Sequence, residues 1–110
     1  MKISTRQSDD VLIVDMEGRL DSRTAVDSND EMERILKVGS KHIIVNLEKL
    51  AFLTSAGMRV LLVTAKLQQS TGGQLRLCSA NELVTEALET AGFSRLLRLY
   101  PTEAEAIKSF

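Results

Sequence analysis

The pattern of hydrophobic and polar residues predicts a sheet that begins near the start of the chain. Residues 3–6 and 11–16 are predicted as two strands, with β-branched residues in both segments. The polar residues 7–10 between them are few enough to close an antiparallel hairpin. Apolar residues then recur at roughly helical spacing and are followed by Gly39, a typical C-terminal cap. The stripe of this first predicted helix consists of Ala25, Val26, Met32, Ile35 and Leu36.

The middle of the chain contains an uninterrupted apolar and β-branched run at residues 42–47. Its continuity predicts a strand that is buried on both faces, as in the centre of a parallel sheet. A second helix follows and ends near Gly72 and Gly73, and residues 74–78 then form the next strand. The apolar stripe of the second helix consists of Met58, Leu61, Leu62 and Ala65.

Two capping-box sequences predict the starts of two further helices. Ser79, with Glu82 three residues later, is the predicted N-cap of a third helix that ends at Gly92. Residues 96–100 form a last short strand in this prediction, and Thr102 caps a terminal helix.

The order of the predicted elements defines the fold class. Strands that alternate with helices, behind an initial hairpin, predict an α/β fold with a mixed, mostly parallel sheet. We expect four to five strands packed with about four helices. No linker, internal repeat or low-complexity segment interrupts this order. The sequence therefore predicts a single domain over residues 1–110.

The composition is that of an ordinary globular protein and argues against several kinds of partner. Of the 110 residues, 44% are hydrophobic and 26% are charged. The net charge of -1, from 14 Lys and Arg against 15 Asp and Glu, provides no cationic surface for nucleic acid. The first residues lack the apolar stretch of a signal peptide, and no run reaches the roughly 18 apolar residues of a membrane span. We expect a cytoplasmic protein that binds neither membranes nor nucleic acid directly.

The sequence offers few residues for catalysis or metal binding. His42 is the only histidine and has no companion ligands for a metal site, and Cys78 is expected to be a buried thiol. No base or nucleophile accompanies Asp15, Glu17 and Asp21, which we expect at a solvated edge. The sequence also lacks a phosphate-binding glycine loop. These patterns favour a binding protein without metal or cofactor over an enzyme.

The stretch from residue 50 to residue 61 leaves the core strand through apolar residues and enters the second helix through small ones. Ser55 lies where this helix begins. As an N-cap, its hydroxyl would stabilise the helix by roughly 1 kcal/mol, and physical considerations alone favour this role. The apolar neighbours Phe52, Leu53 and Met58 are instead typical of a contact surface. From the residues alone, both capping and interaction stay open.

Three segments carry a resemblance to a known family: residues 18–25 (Gly-Arg-Leu-Asp-Ser-Arg-Thr-Ala), 42–47 (His-Ile-Ile-Val-Asn-Leu) and 52–58 (Phe-Leu-Thr-Ser-Ala-Gly-Met). They resemble the STAS domains and, within them, the bacterial anti-sigma factor antagonists. The resemblance implies a phosphorylation site at Ser55. It also implies that an anti-sigma factor, a serine kinase with the histidine-kinase-like ATPase fold, is bound by the unphosphorylated chain and released by the phosphorylated one. A PP2C-like phosphatase would reset the switch.

The same resemblance predicts the contact residues and leaves three questions open. The predicted contact residues are Asp21, Ser22, Phe52, Leu53, Thr54, Ala56, Gly57, Met58 and Arg59. Asp21 is equally expected as the cap of the first helix, and Arg59 is either a solvated charge or a partner of the phosphate. Thr54 stands where the family usually has aspartate. The alternative function is therefore a constitutive, unphosphorylated STAS subunit of a transporter or of a larger signalling complex.

Overall fold

The computed structural model describes residues 1–92 and 97–110 and contains nine regular elements in these ranges. The strands are β1 (Lys2–Ser8), β2 (Val11–Leu20), β3 (His42–Leu53), β4 (Gln74–Cys78) and β5 (Leu99–Tyr100). The helices are α1 (Ala25–Leu36), α2 (Ser55–Ser70), α3 (Glu82–Thr90) and α4 (Glu103–Lys108). None of these helices is long and apolar enough to cross a membrane.

The sheet follows the order of the chain, β1-β2-β3-β4-β5. The first pair of strands is antiparallel and the other three pairs are parallel, so the predicted α/β class with a mixed, mostly parallel sheet is confirmed. The hairpin turns at two residues, and Asp9 adopts the left-handed conformation there with φ 52°. Both β2 and β3 extend past the predicted ends at residues 16 and 47, through a region where register shifts after Asp15 and Gly18 interrupt the regular pairing.

The two faces of the sheet are covered unequally. The helices α1, α2 and α3 pack on one face over the main core, which includes Met16, Val45 and Leu61. The short helix α4 covers part of the other face, where Ala106 and Phe110 lie over a smaller cluster of buried residues. Residues 43–47 of β3 are all buried, which confirms the prediction of a central strand. Cys78 is buried as predicted, and burial raises the pKa of its thiol.

The helix starts confirm one predicted cap and correct another. Thr102 caps α4 as predicted, and its hydroxyl accepts a hydrogen bond from the Glu105 N–H at 3.2 Å. For α3 the predicted cap, Ser79, is wrong: it lies in the left-handed conformation with φ 62°. The cap is Asn81, whose side-chain oxygen accepts from the Val84 N–H at 2.8 Å. Its amide also donates to a carbonyl of β3, so one asparagine caps the helix and fastens it to the sheet.

Two further predictions differ in detail. Val26 does not belong to the buried stripe of α1, since 71% of the residue is exposed and the buried positions of the helix are Ser28, Met32 and Ile35. The last strand is limited to β5, and Leu96, where it was predicted to begin, lies outside the described residues.

Candidate functional site

Two loops meet at the carboxyl ends of β2 and β3. The strands are parallel, and Leu20 at the end of β2 pairs with Leu53 at the end of β3. The N–H of Thr54 continues this pairing by donating to the carbonyl of Leu20 at 3.1 Å. Because both strands end at one edge, the residues after Leu20 and those after Leu53 lie side by side. The structure thus brings the segments of Asp21 and Ser55 together, as predicted.

The helix α2 is capped by Thr54 and not by Ser55. Thr54 has the extended backbone of an N-cap, and its hydroxyl accepts from the Gly57 N–H at 3.4 Å. Ser55 is the first helical residue; its side chain is exposed and forms no hydrogen bond with the described part of the chain. The capping role that physical considerations favoured for Ser55 is therefore wrong.

Gly57 lets the start of α2 approach β2 closely. A Cβ atom on this residue would overlap the carbonyl oxygen of Leu20 and press on the Leu20 side chain. Only glycine fits at this contact without a shift of the backbone. The position of Ser55 relative to the end of β2 therefore depends on Gly57.

The predicted contact residues divide into exposed and buried groups. Leu53 and Met58 are only 5% and 6% exposed, because Leu53 is an inward position of β3 and Met58 belongs to the buried stripe of α2. Gly57 is buried as well. These three residues lie beneath the exposed ones and support them from below, and their role as contact residues stays a prediction. Those that remain accessible are Asp21, Ser22, Phe52, Thr54, Ala56 and Arg59.

Asp21 stabilises the turn that precedes α1, but it is not the helix cap. The N-cap position is occupied by Thr24. The carboxylate of Asp21 accepts from the Arg23 N–H at 3.0 Å, and its carbonyl accepts from the Ala25 N–H at 2.9 Å. The hydrogen bond from Arg23 holds the pKa of the Asp21 carboxyl below its usual range. Asp21 is therefore ionised at neutral pH and holds the loop beside Ser55 in shape.

Arg19 is a residue of this site that the sequence did not reveal. Its guanidinium carbon lies 4.6 Å from the centroid of the Phe52 ring, and its Nε lies 3.6 Å from the carboxylate of Asp21. Arg19 and Phe52 are partners in the register of the sheet. The register shifts in β3 set this pairing, and the spacing of residues in the sequence does not show it. Arg19 joins the two loops through a cation–π contact and an ion pair.

A groove beside Ser55 is the second feature that the sequence did not indicate. It lies between the start of α2 and the outer side of α3, and its volume is about 470 Å³. The groove is lined by Ser55, Met58, Leu83, Glu86, Ala87, Thr90 and Ala91. Leu83 is 55% exposed and gives the groove an accessible apolar side chain. We use the name switch surface for Arg19, Asp21, Ser22, Phe52, Ser55 and Arg59 together with this groove.

The other candidates lie elsewhere. Asp15 does not lie at a simple solvated edge, since Arg6 donates to it at 2.6 Å and to Glu103 at 2.5 Å. Asn46 donates to Glu103 at 3.0 Å and completes what we call the polar cluster, on the sheet face that carries α4. His42 stacks on Phe110, with 4.4 Å between the ring centroids. Within the described residues, no group of His, Cys, Asp and Glu is arranged for a metal ion.

Known proteins share both the sequence and this fold. The STAS domain model matches residues 2–106. The anti-sigma F factor antagonist of Paenibacillus polymyxa is 33% identical over 98 residues, which cover 88% of this chain and 84% of that protein. BtrV of Bordetella bronchiseptica is 28% identical over 110 residues, which cover 100% and 95% of the two chains.

Two solved structures of SpoIIAA are also similar to this chain. SpoIIAA in its unphosphorylated form superposes with a TM-score of 0.78 at 20% identity, over 98% of this chain and 95% of that chain. SpoIIAA of Bacillus in its phosphorylated form superposes with a TM-score of 0.70 at 19% identity, over 98% of each chain. At these identities, both likenesses show a shared fold and no more. The chain therefore belongs to the STAS domain family, and within it to the anti-sigma factor antagonists.

Proposed function

We propose that this chain is a partner-switching anti-sigma factor antagonist, with Ser55 as the residue that is switched. In its unphosphorylated form it binds an anti-sigma factor of the serine kinase type, with the histidine-kinase-like ATPase fold, and so frees the target of that factor. Phosphorylation of Ser55 by this partner ends the binding, and a PP2C-like phosphatase restores it. The single observation that carries the proposal is that Ser55 is exposed and has no hydrogen-bond partner among residues 1–92 and 97–110, while Thr54 caps the helix.

The switch surface has the composition of a protein contact. Arg19 and Phe52 present an arginine stacked on a half-buried aromatic ring, and both residue types are enriched at the cores of protein interfaces. Leu83 adds an exposed apolar side chain on the other side of Ser55, in a groove that a side chain of the partner can enter. An interface over these residues would surround Ser55 with desolvated apolar contacts.

A phosphate on Ser55 should affect this interface and leave the fold intact. It adds about 1.5 to 2 negative charges at pH 7, and the start of a helix favours an anion by roughly 0.3 to 1 kcal/mol. In an interface, the same dianion is desolvated without a partner, at a cost of about 3 to 5 kcal/mol by analogy with broken buried ion pairs. This cost corresponds to roughly two to four decades of affinity. The fold tolerates phosphorylation, and the complex does not.

The location of Glu86 also supports a weaker complex after phosphorylation of Ser55. Glu86 lines the groove that contains Ser55 and is exposed. A phosphate would therefore place like charges on opposite sides of the groove, which disfavours an apolar occupant between them. The fold itself is compatible with the modification, since SpoIIAA has been solved in both the unphosphorylated and the phosphorylated form.

The proposal is tested by incubating the chain with the candidate kinase and ATP and locating any phosphate by mass spectrometry. We expect modification of Ser55 alone and no modification of Ser55→Ala. Thr54→Val is the matched control, because it removes the neighbouring hydroxyl and leaves Ser55 in place. Phosphate found only at another residue, or continued modification of Ser55→Ala, would contradict the proposal. Tight binding without any phosphate transfer would favour the constitutive subunit.

A further inference from the structure

We infer that two copies of this chain pair through the outer edge of β1, in an antiparallel arrangement with its two-fold axis at Thr5. The strand β1 is the first in the order of the sheet, and in the described part of the chain it pairs only with β2. Its seven residues pair in continuous register, without a bulge or a proline. An edge of this kind offers a row of backbone donors and acceptors to another strand.

The hairpin determines which backbone groups face outward. A two-residue turn closes on a pair of residues that exchange both hydrogen bonds, and here this pair is Ser8 and Val11. Hydrogen-bonded pairs alternate along the ladder, so the even-numbered residues of β1 bond to β2. The N–H and C=O groups of Ile3, Thr5 and Gln7 then point away from the sheet. No described residue outside the hairpin bonds to the backbone of these three.

The charge that would normally protect such an edge is engaged elsewhere. Edge strands avoid pairing with the help of exposed charged side chains. The strand β1 carries Lys2 at its beginning and Arg6 in its second half. Arg6 is held by Asp15 at 2.6 Å and by Glu103 at 2.5 Å within its own molecule. These bonds draw the Arg6 side chain toward β2 and α4, away from the outer edge, so that it does not cover the edge.

The register follows from keeping the positive charges of Lys2 and Arg6 apart. With the axis at Thr5, Ser4 of one copy faces Arg6 of the other, and Lys2 faces Ser8. An axis at Ser4 would place Lys2 opposite Arg6, and an axis at Arg6 would place two arginines opposite each other. Like charges directly across a sheet are destabilising. The register centred on Thr5 avoids both conflicts and uses the whole strand.

This pairing would be reversible and would leave the switch surface open. It forms two hydrogen bonds in each of three facing pairs of residues, but buries much less than the roughly 1,200 Å² of a stable interface. We therefore expect an equilibrium that depends on concentration. Ser55 follows β3, which is separated from β1 by β2, so both copies keep their site accessible. The inference does not depend on phosphorylation of Ser55.

Sedimentation velocity over a concentration series tests the inference with three variants of one exposed residue. For the wild type, the average mass should rise toward twice that of the chain. Thr5→Lys places two lysines at the axis and should weaken the dimer about fivefold at low salt. Thr5→Pro removes an outward N–H that the fold does not use and should abolish the dimer. Thr5→Val retains the backbone and should behave like the wild type.

Hydrogen exchange gives a second readout that does not require a substitution. The amide of Thr5 should exchange more slowly as the protein concentration rises, while that of Ser4, bonded within the hairpin, should not respond to concentration. If Thr5→Pro does not fold, Thr5→Lys and this measurement decide the matter. A monomer at every concentration would overturn the inference. A dimer that forms equally well in the wild type, Thr5→Lys and Thr5→Pro would also overturn the inference, since its interface would lie elsewhere.

Discussion

The polar cluster and the switch surface both include residues of β2 and β3, but they use their polar groups differently. In the polar cluster, Arg6 bonds to two carboxylates, and Asn46 donates to Glu103 while accepting from the Glu48 N–H at 2.9 Å. In the switch surface, the Ser55 hydroxyl forms no bond with the described part of the chain. The comparison suggests that a polar group which the fold already satisfies is structural, whereas an exposed and unbonded one is available to a partner.

We expect the largest loss of stability for a substitution of Gly57, which supports the switch surface from below. Gly57→Val would force a branched side chain against the carbonyl of Leu20. We expect the free energy of unfolding to fall by about 3 kcal/mol, at the upper end of ordinary overpacking. Urea denaturation measures this loss, and Ala56→Val, at the neighbouring half-buried position, is the control. Equal stability of the two variants would show that the close approach of α2 to β2 is unimportant.

Thr54 and Ser55 are adjacent hydroxyl residues that should differ in their contribution to stability. Thr54→Ala removes the cap of α2 and should lower the free energy of unfolding by about 1 kcal/mol. Ser55→Ala removes a hydroxyl that the fold does not use and should change it by less than about 0.5 kcal/mol. Thermal denaturation of both variants checks the difference. The reverse order would show that Ser55 is structural after all.

In the polar cluster, the interaction of Arg6 with Glu103 should make the free energy of unfolding depend on pH. The hydrogen bond from Arg6 lowers the pKa of the Glu103 carboxyl below its ordinary value. The ionised Glu103 carboxylate therefore stabilises the folded state fully above its unfolded-state pKa of about 4.3. This contribution is lost as the pH falls through the lower pKa that Glu103 has in the folded protein. Glu103→Gln should flatten the dependence of stability on pH in this range. Unfolding experiments between neutral and acidic pH measure it. An unchanged dependence would mean that Arg6 and Glu103 are not coupled.

Arg19, like Ser55, should contribute little to the free energy of unfolding. Its side chain is largely exposed, so Arg19→Ala should leave the free energy of unfolding within about 0.5 kcal/mol. Binding of the anti-sigma factor should nevertheless weaken by more than about 1 kcal/mol, as for other arginines at the centre of an interface. Calorimetric titration of the stable variant checks this. Arg23→Ala, which changes a nearby exposed arginine, is the control. Undiminished binding would remove Arg19 from the switch surface.

The sequence predicted the parts of the molecule that depend on local periodicity. It placed β4 at residues 74–78 and identified the buried run of β3, because a continuous apolar stretch has one favourable environment. It assigned the cap to Ser55 and not to Thr54, since either of two adjacent hydroxyl residues satisfies the same rule. It also missed the contact of Arg19 with Phe52, which depends on register shifts in β3. The groove at Leu83 requires the positions of two helices, which no local pattern contains.

The most direct test of the central claim is the affinity of the anti-sigma factor for the chain with authentic phosphoserine at position 55. The control is the chain with phosphoserine at Ser70, an exposed residue at the other end of α2, so that both proteins carry the same charge. We predict a loss of roughly two to four decades in affinity for the first protein, a small change for the second, and unchanged folding of the first. Equal affinity of the Ser55-phosphorylated and unphosphorylated chains would contradict the account.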